Sequence, residues 1–89
     1  MEWDVDKRLA NLDKHGIDFL DVPSLFDGDT LTTEDDRFDY GERRFVTLGV
    51  IQGRVALVVH TERDDAIRII SVRKATSYEE RKYFEAVAD

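Results

Sequence analysis

Arg43-Arg44-Phe45-Val46-Thr47-Leu48-Gly49-Val50-Ile51, then Gln52-Gly53, then Arg54-Val55-Ala56-Leu57-Val58-Val59-His60-Thr61-Glu62 is the stretch that decides the fold. Its first part mixes β-branched, aromatic and polar residues in near alternation, the period of a strand with one face toward the core. The second contains the unbroken apolar run Val55–Val59, which reads as a central strand covered on both faces. Gln52-Gly53 between them suits a tight turn, and Asp64-Asp65 suits a second turn into a strand over Ile67–Lys74. Leu31–Asp35 supplies another strand before the first of these. Links this short join antiparallel neighbours, because a parallel pair needs a crossover of about a dozen residues or more.

Working outward, the period changes to that of helices. Asp4 can cap a helix in which Val5, Leu9 and Leu12 form one apolar stripe, with Lys14 and His15 in the last turn and Gly16 as a left-handed stop. Asp18 can cap a second, short helix through Phe26, and Pro23 is too deep for a first-turn proline, so that helix should kink or restart there. From Thr76 or Ser77 the pattern is helical again, with Tyr83, Phe84 and Val87 as its apolar stripe. The expected fold is α+β: two N-terminal helices, a four-stranded antiparallel sheet and a C-terminal helix, in one domain over residues 1–89.

The absence of cysteine excludes disulfides and thiolate metal sites. The first twenty residues are charged every few positions, unlike a signal peptide, and no apolar stretch approaches a membrane span, so a cytoplasmic protein without a membrane partner is expected. The net charge of −7 argues against a broad nucleic-acid field, yet it is unevenly spread. Residues 1–42 hold four basic groups against thirteen acidic ones, and residues 43–89 hold nine against seven. An acidic half and a mildly basic half suit one basic and one anionic partner.

His15 and His60 are far apart and form no metal-ligand spacing, and the acidic run Glu34-Asp35-Asp36 lacks the pattern of a calcium loop, so neither metal nor cofactor is expected. The last two strands carry His60, Glu62, Arg63, Arg68, Arg73 and Lys74, a density of ionisable groups that fits phosphate chemistry. Cutting RNA without a metal needs a base for the ribose 2′-hydroxyl, an acid for the leaving 5′-oxygen and cations where charge develops. Arginine suits the last role through its planar fork, and His60 or Glu62 could move protons. Strand alternation sets His60 and Glu62 on one face and Thr61 and Arg63 on the other unless a bulge intervenes. Each residue also has a plain structural reading, as a strand-end ion pair, a core histidine or a helix terminus.

Trp3-Asp4-x-x-Lys7-x-x-x-Asn11-x-x-Lys14-His15-Gly16-x-x-Phe19 at the front resembles the BrnT family of type II toxin–antitoxin systems. So do Asp36-x-x-x-Tyr40-Gly41-Glu42-x-Arg44, Gly49-x-x-x-Gly53-Arg54, Thr61-x-Arg63 and Arg68-Ile69-Ile70-Ser71-x-Arg73-x-Ala75. The resemblance implies a RelE-like fold and a metal-independent endoribonuclease that cleaves RNA to inhibit translation and growth. It also implies a BrnA-like ribbon-helix-helix antitoxin, with operator DNA met only through that antitoxin. Carried over, Arg63 and Arg73 would stabilise charge, His60 or Glu62 would move protons and Tyr83 would approach the same face. Lys7, Lys14, His15, Arg68 and Arg81 would hold the RNA. The chain departs from the family at Val72, at Pro23 and in Glu79-Glu80-Arg81-Lys82-Tyr83. That last departure keeps open an alternative, a non-catalytic module that binds an antitoxin-type repressor and tunes operator binding.

Overall fold

A computed structural model describes residues 1–88. Helix α1 (Val5–His15) is followed by a 3-10 turn (Phe19–Asp21) and helix α2 (Val22–Asp27). Strands β1 (Leu31–Asp35), β2 (Arg44–Ile51), β3 (Arg54–Arg63) and β4 (Ala66–Lys74) form one antiparallel sheet in sequence order, and α3 (Ser77–Val87) closes the chain. This is the expected α+β order.

Local chemistry accounts for most of the boundaries. The Asp4 carboxylate accepts from the N–H groups of Asp6 and Lys7, and Gly16 ends α1 at φ 71°, where a Cβ would be strained. The restart at Pro23 is real: the 3-10 turn capped by Asp18 stops at Asp21, and the proline occupies the first turn of α2, where its missing N–H costs nothing. The β2–β3 and β3–β4 hairpins each turn on two residues with positive φ, Gln52-Gly53 and Asp64-Asp65, the conformation that matches strand twist. Thr76 and Glu79 form a reciprocal capping box at the start of α3.

The sheet has two covered faces. Phe19, Val22 and Leu25 pack with Ile51, Ala56, Val58, Ile69 and Val72 on one side. Tyr83 and Ala75 pack with Leu48, Val55 and Leu57 on the other. Gly49 is required by the first of these layers. A Cβ there would lie 2.6 Å from Leu25 Cγ and 2.7 Å from its Cδ2, and Leu25 is fully buried. Gly49→Ala is therefore expected to lower the unfolding free energy by roughly 1–3 kcal/mol, the usual cost of overpacking, read by chemical denaturation.

The apolar stripe of α1 is not its buried side. Val5, Leu9 and Leu12 face solvent, at 61%, 53% and 37% exposure, and the buried residue is Asn11. The reason lies in the free edge of β4. Asn11 Nδ2 donates to the carbonyls of Val72 and Ile17 at 2.9 and 3.0 Å, and Oδ1 accepts from the Val72 N–H at 3.1 Å. Further along, Glu2 forms a main-chain bridge to the same edge, donating to Ile67 O and accepting from Ile69 N–H. Satisfying buried edge groups orients the helix more strongly than burying its leucines.

Candidate active site

On the α3 side of the sheet lies a groove of about 530 Å³. Its floor is apolar, formed by Leu31, Val46, Leu48, Leu57 and Val59. One wall is β1 and the segment after it, with Glu34, Asp35, Asp36 and Arg37. The opposite wall is Arg73 with Tyr78, Glu79 and Lys82 of α3. The capping box fixes the phase of α3, so Tyr78 and Lys82, one turn apart, share the groove-facing side.

Arg73 pairs with Leu57 across β3 and β4, which aims it at this face. Its Nη1 and Nη2 donate to the two carboxylate oxygens of Glu79 at 2.8 and 2.9 Å, and Nη1 also reaches the Lys74 carbonyl. Glu79 thus closes the helix cap and holds the arginine at once. The Arg73 guanidinium drives the Glu79 carboxyl down to about 2, and the Glu79 carboxylate in turn raises Arg73 above the usual arginine range. The side chain of Arg73 remains 38% exposed toward the groove.

A bulge adjusts the rest of this face. The register shifts between Val59 and His60, so Ser71 and Ile69 are paired while Ile70 is left over. Regular alternation would put Arg68 and Arg73, five residues apart, on opposite faces. The bulge places Arg68 opposite Thr61 and Arg73 opposite Leu57, both on the groove face. Arg63 ends β3 on that face too, paired with Glu42 at 3.3 Å and lying beyond the groove. Arg68 sits 3.8 Å from Glu2.

The other sequence candidates lie elsewhere. His60 is on the opposite face and only 3% exposed, with Nε2 2.7 Å from Thr47 Oγ1 and its ring between Phe26 and Phe45. Glu62 follows on the His60 side, so the sheet itself separates both from Arg73. Tyr83 is buried among the α3-side core, and its hydroxyl donates to the Asp29 carbonyl at 2.8 Å. Lys7, Lys14 and His15 belong to α1 at the β4 edge, and His15 lines a different cleft with Arg54 and Lys74. Arg81 lies on the far side of α3, near Phe84 and Ser77. Sequence reasoning missed Tyr78 and Lys82 as groove residues. The Thr76-x-x-Glu79 cap was the signal that could have set the helix phase and found them.

Among the described residues no three His, Asp or Glu side chains converge on a metal position. No helix among them is long and apolar enough to cross a membrane.

Protonation affects stability through the same contacts. Asp18 is held at about 2 by Arg8, Asp35 at about 2 by Arg37, and Glu79 at about 2 by Arg73. Folding lowers these values, so the stability they add is present above the ordinary carboxylate range and is lost as pH falls toward about 2. His60 acts in the same direction at higher pH, because burial lowers its pKa from 6.5 and favours the neutral ring. The unfolding midpoint is expected to begin falling below about pH 6.5 and to fall further through the carboxylate range, as followed by thermal melts from pH 7.5 to 3.

The fold and groove define a small α+β protein with a cationic wall facing an acidic one over an apolar floor. The chain matches the model of the ribonuclease toxin BrnT of type II toxin–antitoxin systems over residues 3–79, and it belongs to that family. Comparison with curated proteins finds no match.

Proposed function

We propose that this member of a ribonuclease toxin family cuts RNA in the α3-side groove without a metal ion, slowing translation and growth. The carrying observation is the delivery of Arg73 into that groove beside Lys82 and Tyr78. In this reading the ribose 2′-hydroxyl gives up its proton as its oxygen attacks the adjacent phosphate. The bond from phosphorus to the 5′-oxygen breaks to leave a 2′,3′-cyclic phosphate and a protonated 5′-hydroxyl, and Arg73 and Lys82 offset the charge that develops on the phosphate oxygens. Tyr78, whose hydroxyl makes no hydrogen bond among the described residues, exchanges a proton with a reacting oxygen. His60 and Glu62, behind the sheet, take no part, and Tyr83 supports α3 from below. Arg68 and Arg63 hold a neighbouring part of the RNA backbone. Arg68 is opposite Thr61, four residues along β3 from Leu57, roughly 13 Å from the Arg73 position. A BrnA-like antitoxin supplies inhibition and operator binding.

Lys82→Ala tests the groove without disturbing the core. It is expected to reduce cleavage about ten-fold, while unfolding stays within about 0.5 kcal/mol of the parent, as for most surface changes. Wild-type rates in this variant would remove Lys82 from the site. A second reading, a binding module without catalysis, draws support from the Glu79 carboxylate that already occupies both terminal nitrogens of Arg73. Folded wild-type protein that binds its antitoxin and cuts no RNA would favour that reading.

A further inference from the structure

The two edges of the sheet are treated differently. The β4 edge is closed twice, by the Glu2 main-chain bridge and by the Asn11 side chain. On β1, no strand pairs with the outer side among the described residues.

Which β1 groups face outward follows from the register. Asn11 takes the N–H and C=O of Val72, so these point away from β3. Val72 is opposite Val58, Val58 is opposite Thr47, and Thr47 is opposite Thr32. Main-chain groups alternate direction along each strand and across each pair, so Val58 and Thr47 bond to each other while Thr32 points outward. The close Thr32–Thr47 hydroxyl contact of 2.7 Å fits the narrower, non-hydrogen-bonded kind of pair. Glu34, two residues on, points outward as well.

The surroundings give this edge a sign. Residues 27–39 contain Asp27, Asp29, Glu34, Asp35, Asp36 and Asp39 against Arg37 alone among basic residues. Thr32, Thr33 and Glu34 are exposed, while Leu31 and Thr33 line the groove next to its apolar floor. Like charge opposes a second copy pairing here, and it opposes RNA. An extended cationic protein segment satisfies both the free main-chain groups and the charge.

We propose that the outer edge of β1 receives an extended, basic segment of the antitoxin as a fifth strand. The antitoxin's place in this inference rests on the toxin–antitoxin family assignment. One groove then carries two charge-opposed walls, the α3 wall for RNA and the β1 wall for the inhibitor. A strand added to β1 lays alternate side chains over the groove lip and obstructs the RNA.

The test uses the full chain, labelled with ¹⁵N, and a synthetic nine-residue peptide alternating arginine and valine. A glutamate–valine peptide serves as control, with salt near physiological strength. The expected result is shifted amide signals and slowed solvent exchange at Thr32 and Glu34 with the basic peptide only. Glu34→Pro removes one outward N–H and no main-chain bond to β2, but also the carboxylate paired with Arg43. It is therefore compared with Glu34→Ala and should bind roughly ten-fold more weakly than that variant, about one hydrogen bond's worth. Asp36→Lys, which leaves the main chain intact, should also weaken binding. No response at β1, a response confined to α3, or equal binding by Glu34→Pro and Glu34→Ala would overturn the inference. So would a dimer of the free chain that Glu34→Pro dissolves, since the edge would then belong to a second copy. RNA cleavage does not enter this readout, so an inactive chain that binds the peptide loses the proposed function and keeps the edge.

Discussion

Arg73→Ala is expected to slow RNA cleavage by about 10²–10³-fold, the range for removing one donor aimed at developing charge. Two consequences of the change must be separated. Arg73 is also the partner of Glu79, and the Glu79 carboxylate closes the cap of α3. Removing the guanidinium releases Glu79 from the influence that holds it near 2, and α3 loses part of its attachment to β4. Glu79→Gln distinguishes the two effects. It keeps an acceptor for Thr76 and frees Arg73 of a full charge, so a folded Glu79→Gln protein should cut RNA at least as fast as the parent. Arg73→Lys should recover part of the lost rate, because a single ammonium replaces charge without the fork. An Arg73→Ala protein that folds normally and cuts at the wild-type rate would take Arg73 out of the chemistry.

The second large effect is on stability. Asn11→Ala deprives Val72 of partners for both its N–H and its C=O, and Ile17 of a partner for its carbonyl. Leaving buried main-chain groups unpaired commonly costs about 1–3 kcal/mol each, so a loss of roughly 2–4 kcal/mol is expected after partial hydration. That is a large share of the roughly 5–15 kcal/mol that keeps a domain folded. The midpoint of denaturant unfolding measures it. A midpoint close to the parent's would show that water replaces the amide at little cost and that α1 is held by other contacts.

Much of the fold was legible because its determinants are local. Asp4 and Gly16 bound α1, Pro23 restarts the second helix, and Gln52-Gly53 and Asp64-Asp65 turn the hairpins, all decided within a few residues. The orientation of α1 was not, because it depends on Asn11 meeting Val72 sixty-one residues away, and the Val5–Leu9–Leu12 stripe, which is exposed, carries no sign of that contact. For the site, strand alternation already separated His60 and Glu62 from Arg63, and the structure keeps that separation. The leftover Ile70 could not be read from the pattern, and it is what brings Arg68 to the face of Arg73. Tyr83 was offered by analogy with the family's fold, yet its hydroxyl is spent on Asp29, while Tyr78 five residues earlier faces the groove. Helix phase, set by the Thr76–Glu79 cap, decides between the two tyrosines.

The measurement that bears most directly on this account is the chemistry of the RNA ends. Purified protein is incubated with an end-labelled RNA of mixed sequence in the presence of a strong chelator, and the products are resolved and typed. Attack by the 2′-hydroxyl predicts chelator-resistant cleavage that leaves a 2′,3′-cyclic phosphate on one product and a 5′-hydroxyl on the other. Cleavage that requires a divalent cation, or that leaves a 5′-phosphate, would contradict it.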